Sequence, residues 1–131
     1  MSQIDEDVDG QDSFEDLSSE SIVKFESVAK WLNSVGAGKD ISAMDEQIKL
    51  IVEFCNFVRF TPDELILKCI RTLKDGTRAI STKGRNQTEE FIKSFVTSRG
   101  KTGNEGIIEE NKVRGFFVHN GIFMQGRAAI L

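Results

Sequence analysis

The sequence predicts an all-α bundle of four to five helices behind an acidic N-terminal tail, and three observations carry that expectation. Apolar residues recur at steps of three and four along most of the chain. The single proline stands at the start of a helical pattern, where its fixed φ is tolerated. No period-two alternation of useful length marks a strand.

Residues 1–18 are predicted to be a disordered tail, because they are acidic and poor in apolar side chains. Phe14 and Leu17 are the exceptions, suited to transient docking. A first helix is expected from about Ser19 to Asn33, with Ile22, Phe25, Val28, Ala29 and Leu32 on one face. Ser19 can cap it, and the glycines at 36 and 38 can end it. A second helix, from about Ala43 to Arg59, carries the stripe Met44, Ile48, Ile51, Cys55 and Val58, with Ser42 and Asp45 resembling a cap. Thr61-Pro62-Asp63-Glu64 is the strongest local signal. Thr61 caps, Pro62 suits the first helical position, and Glu64 completes a capping box. That third helix is expected to run to about residue 74, stopped by Asp75-Gly76. Residues 75–87 read as a basic loop with Arg78, Lys83 and Arg85. Thr88 opens a short helix over 88–99 with Phe91, Ile92, Phe95 and Val96 apolar. The last helix is expected over 104–119, with Asn120-Gly121 as its stop. Along it Val113, Phe116, Phe117 and Val118 crowd one side, while Asn111, Lys112, Gly115 and His119 share the other. Arg114 projects near the edge of the apolar side.

At 131 residues and 39% apolar content, residues 19–131 make one domain with one core. Cys55 and Cys69 each sit among apolar neighbours at helical spacing, which predicts buried thiols in a reducing, cytoplasmic compartment. Neither a membrane-length apolar run nor a secretory signal is visible, so no membrane association is expected.

The chemistry of an enzyme is missing. The glycines never form a phosphate loop with its Lys-Ser/Thr, and no cofactor is implied. His119, the only histidine, has no nucleophile or metal-ligand spacing around it, and no metal site is expected. The net charge of −4 conceals two regions. Residues 1–20 hold eight acids (Asp5, Glu6, Asp7, Asp9, Asp12, Glu15, Asp16, Glu20) and no base. The other 111 residues hold all 17 bases and the remaining 13 of the 21 acids. An acidic tail on a mildly basic body hints at a nucleic-acid partner.

Three stretches, FCNFVRFTPDELI at 54–66, EEFIKSFVTSRGKTGNEGI at 89–107 and VRGFFVHNGI at 113–122, come in an order and spacing that carry a resemblance. From about Met44 to Gly121 the chain resembles the N-terminal core-binding domain of the tyrosine recombinases, the phage-integrase family, and archaeal members most of all. The resemblance implies a SAM-like helical domain that forms half of a clamp around double-stranded DNA. It also implies, as further partners, a catalytic recombinase domain or like protomers. The catalytic half of the family supplies a tyrosine nucleophile, and this chain has no tyrosine, so no cleavage activity is expected of it. The chain stops at Leu131, about where the family's interdomain linker begins. Departures fall at the start of the last helix, where Thr102 is followed by Glu105, Gly106, Glu109 and Glu110. Acids there weaken any phosphate contact by its first turns.

The expected DNA-contacting residues are therefore Arg78, Lys83, Arg85, Asn111, Lys112, Arg114 and His119. Lys and Arg contact phosphates, and Asn and Arg can read base edges. A helical protein–protein interaction module, with Phe14 and Leu17 as a docking segment, is the alternative. A contiguous basic face would favour DNA and an exposed apolar groove a protein.

Overall fold

The computed structural model describes residues 14–36 and 44–124. The expected tail over residues 1–13, the stop at Gly38 and the cap at Ser42 lie outside the described residues. The element order is α1 (Ser19–Ile22), α2 (Glu26–Gly36), α3 (Asp45–Val58), α4 (Pro62–Lys68), β1 (Ile70–Thr72), β2 (Arg78–Ile80), α5 (Thr82–Ser98) and α6 (Gly103–Val118). The chain is a helical bundle, as its periodicity predicts, with one small hairpin that the periodicity does not.

The core lies between α3, α5 and α6. Phe54 of α3 meets Phe95 of α5 edge-on at 5.3 Å and Phe117 of α6 at 6.3 Å between ring centroids. Trp31 of α2 closes the far side against Phe116 at 5.6 Å. Phe54, Phe116 and Phe117 are fully buried, and removing each from water contributes about 2 kcal/mol. Cys55 and Cys69 are buried free thiols.

Several boundaries differ from expectation. The predicted first helix is broken at residues 23–25, where the Phe25 carbonyl accepts from both Val28 and Ala29 and restarts the helix as α2. Residues 14–18, expected to be disordered, are strapped to α3. The Leu17 backbone exchanges two hydrogen bonds with the Asn56 side chain, at 2.8 and 3.0 Å. Arg59 donates to the Phe14 carbonyl and lies over its ring. Ser18, rather than Ser19, caps α1. The Thr61–Glu64 capping box forms as the sequence indicates, at 2.9 and 3.1 Å.

The largest correction falls between Lys68 and Thr88. The third helix ends at Lys68, six residues early, and Asp75-Gly76 turns a β-hairpin instead of stopping a helix. Asp75 accepts from the Thr77 amide at 3.0 Å and its hydroxyl at 2.7 Å, and Gly76 takes φ +89°. Those are the demands of a tight turn. The strands pair antiparallel in the register Ile70↔Ile80, Arg71↔Ala79, Thr72↔Arg78. The hairpin closes at its base, where the Ser81 amide donates to the Cys69 carbonyl at 2.8 Å. Ser81 then caps α5 through the Gly84 amide at 3.0 Å, so this helix begins six residues before Thr88. Gly84 is obligatory there: a Cβ would lie 1.7 Å from the Lys68 carbonyl oxygen.

Candidate nucleic-acid interface

The hairpin and the first turn of α5 concentrate positive charge. Between Lys68 and Arg85 stand six bases (Lys68, Arg71, Lys74, Arg78, Lys83, Arg85) and one acid, Asp75. Arg71, Lys74, Arg78 and Lys83 are exposed, while Lys68 and Arg85 are half-buried. The acid is internal to the turn. Hydrogen bonds from Thr77 hold the Asp75 carboxyl below its ordinary range, so it stays a carboxylate committed to its own loop. The first turn of α5 contains no acid. Its helix dipole therefore adds to the local positive potential instead of being neutralised. Burial pushes the Cys69 thiol up, partly offset by its hydrogen bond to Thr88 and by the nearby charges of Lys68 and Arg85. Arg85 thus lies at the foot of the hairpin, where α4 ends.

Of the residues expected from sequence, Arg78, Lys83 and Arg85 fall on this hairpin and helix start. Arg78 also borders a cleft of about 340 Å³ between the hairpin, α2 and the end of α6. Lys30 and Asn120 lie on the same cleft, as do Glu26 and Asp63. Asp63 accepts the Ser27 amide at 2.9 Å. His119, next in chain to Asn120, shares a 2.6 Å hydrogen bond between its Nδ1 and the Ser34 hydroxyl. Lys112 is exposed but lines a different cleft, between α3 and α6, among Glu46, Glu53, Glu109, Lys49 and Arg99.

Arg114 is corrected, and Asn111 is bound to it. Arg114 is 3% exposed and held from both sides. Its guanidinium donates to Glu89 of α5 through Nε and Nη2, at 3.0 and 2.8 Å, and to Glu110 at 3.1 Å. Asn111 accepts from Arg114 Nη1 at 2.7 Å. Burial pulls the Arg114 pKa down, but the bonds and charges of Glu89 and Glu110 outweigh it and the net shift is upward. A cation spent on two carboxylates inside the α5–α6 contact is structural. It has no face left for a phosphate.

Sequence reasoning missed Arg71, Lys74, Lys68 and Lys30. The first three fall inside the helix expected to run to about residue 74. The signal that could have found them is Asp75-Gly76 flanked by Ile70 and Ile80. Gly115, opposite the apolar side of α6, has open space where a Cβ would be, so no helix packs against it there.

Among the described residues, no cluster of His, Cys, Asp or Glu is placed to hold a metal ion, and no helix is long and apolar enough to cross a membrane. Comparison of the chain with protein-family models, with curated proteins and with solved structures found no match.

Proposed function

We propose that this chain binds double-stranded DNA through its β-hairpin and the start of α5. The observation that carries the reading is the local excess of five positive charges over residues 68–85, in a chain whose net charge is −4. Most are exposed, and the one acid among them is tied up in the turn. Cation clusters of this kind bind the phosphate backbone by releasing counterions. The resemblance of residues 44–121 to the core-binding domain of tyrosine recombinases points to the same partner. It adds a second expectation, that a catalytic recombinase domain or like protomers complete a clamp. The chain has no tyrosine, so it binds without cutting or joining DNA. The competing reading, a protein-interaction module, rests on the acidic overall charge and the abundance of Phe; the docking segment it offered, Phe14 and Leu17, is engaged by Arg59 and Asn56 of the same chain.

The test is a titration of a DNA duplex at several salt concentrations. Arg71→Ala, Lys83→Ala and Arg85→Ala should each weaken binding and each lower the slope of log K against log salt by about one unit. Thermal midpoints should stay nearly unchanged for the exposed pair. Unchanged binding in all three variants overturns the proposal.

A further inference from the structure

The register of the hairpin separates its two arginines. Directly opposed residues share a face, and successive residues alternate faces. Arg71 stands opposite Ala79, whereas Arg78 stands opposite Thr72. Arg71 and Arg78 therefore project from opposite faces of the same two-stranded ribbon. The Arg78 face is also that of Ile70 and Ile80, which pack on the core. It looks back across the cleft that holds Lys30 and Asn120. On the other face Arg71 is exposed beside half-buried Ala79. Lys74 sits at the tip beside Leu73, an exposed apolar side chain.

A flat or singly contacted strand of nucleic acid reaches one face of such a ribbon. Only a groove, walled on both sides by phosphates, reaches both faces and the tip together. Dimensions select which groove. The major groove of B-form DNA is about 12 Å wide and 8.5 Å deep and admits a two-stranded ribbon, whereas the minor groove is about 6 Å wide and takes one only when the duplex is deformed. The major groove of A-form RNA is too narrow for side chains to enter. Residues 71–78 are all exposed, Arg78 at the rim of the cleft against α2, and three residues of strand extend about 10 Å, which matches the depth.

Resting on the DNA-binding reading above, we propose that the hairpin inserts into the major groove of B-form DNA, with Arg71 and Arg78 each engaging one of the two backbones that wall it. The Arg78-side backbone then runs along the cleft toward Lys30, with Glu26 setting a limit on how deeply it enters. Leu73 at the tip meets the groove floor, where thymine offers a methyl group.

The experiment uses the full chain and duplexes of about two helical turns. One duplex is plain, one carries glucosylated 5-hydroxymethylcytosine, which fills the major groove, and one is saturated with netropsin, which fills the minor groove. Double-stranded RNA of the same sequence is the fourth probe. Insertion requires that glucosylation weaken binding at least tenfold, that netropsin leave it within twofold, and that the RNA bind much more weakly than the plain duplex. Arg71→Ala and Arg78→Ala should each lower the salt slope by about one unit, and the double variant by about two. Both side chains are exposed, and far-ultraviolet dichroism checks that the variants fold. Equal binding to plain and glucosylated DNA overturns insertion while leaving DNA binding in place. So does a salt slope that responds to one arginine and ignores the other. Failure to bind the plain duplex overturns both readings.

Discussion

Single residues in this chain divide sharply between those that hold the bundle and those that stay exposed. Arg114 and Arg71 are both arginines on regular elements, yet their surroundings assign them opposite work. Arg114→Ala would strand Glu110 and Glu89 at the α5–α6 contact, and breaking a buried pair from one side costs about 3–5 kcal/mol. Urea unfolding should show that loss, while the salt slope of DNA binding stays as in the parent chain. Gly84→Ala meets a harder obstacle, because its methyl would overlap the Lys68 carbonyl. A backbone shift of α5 against α4 is the only relief, so a loss of about 3 kcal/mol is expected in the same measurement. Burial pushes the thiols of Cys55 and Cys69 up, Cys55 most strongly. Since the thiolate is the reactive form, neither should react with a disulfide reagent at pH 8 until the chain is unfolded. Thiol counts with and without urea decide that.

At the scale of elements, legibility followed length and apolar content. α3 was read to within two residues because seven buried side chains repeat along its fourteen residues. α4 announced its start through Thr61, Pro62 and Glu64, and Thr61→Ala should lower stability by about 1 kcal/mol in thermal unfolding. Its end was misread. Asp75-Gly76 serves equally as a helix stop or a hairpin turn, and three-residue strands are too short to display alternation. The start of α5 was missed for a related reason. Ser81-Thr-Lys-Gly-Arg-Asn-Gln-Thr88 contains no apolar residue, and Gly84 reads as a loop former unless the close approach of Lys68 is known. The consequence for the site was specific. Arg78, Lys83 and Arg85 were visible as bases in a loop, whereas Arg71 and Lys74 fell inside the expected helix. Arg114 was misassigned because helical projection alone cannot show that Glu89 of a neighbouring helix waits opposite.

Over the whole molecule, charge is segregated along the chain. Residues 1–13 carry five acids and no base, and they join the described structure at Phe14, which is anchored by Arg59. Thirteen residues span at most about 45 Å, enough to reach across a domain of this size. If the hairpin binds DNA as proposed, an acidic segment of this length would compete with phosphates for the same side chains. Removing residues 1–13 should therefore raise affinity for a duplex at low salt, with the gain fading as the Debye length shrinks toward about 8 Å at physiological salt. Titrations of both chains at two salt concentrations measure it, and equal affinities at low salt would refute the competition. The closed base of the hairpin bears on how such a molecule can be taken apart. The Cys69 carbonyl and Ser81 amide already meet, and Ile70 lies opposite Ile80. The ribbon is thus a loop whose two ends are neighbours, so it can be shortened without parting α4 from α5. Replacing residues 71–79 with Gly-Gly, a length that two-residue hairpin turns accept, should leave helix content intact and lower the salt slope of DNA binding by about three units, for Arg71, Lys74 and Arg78. Dichroism and a duplex titration on the shortened chain would show whether stability resides in the bundle and affinity in the ribbon.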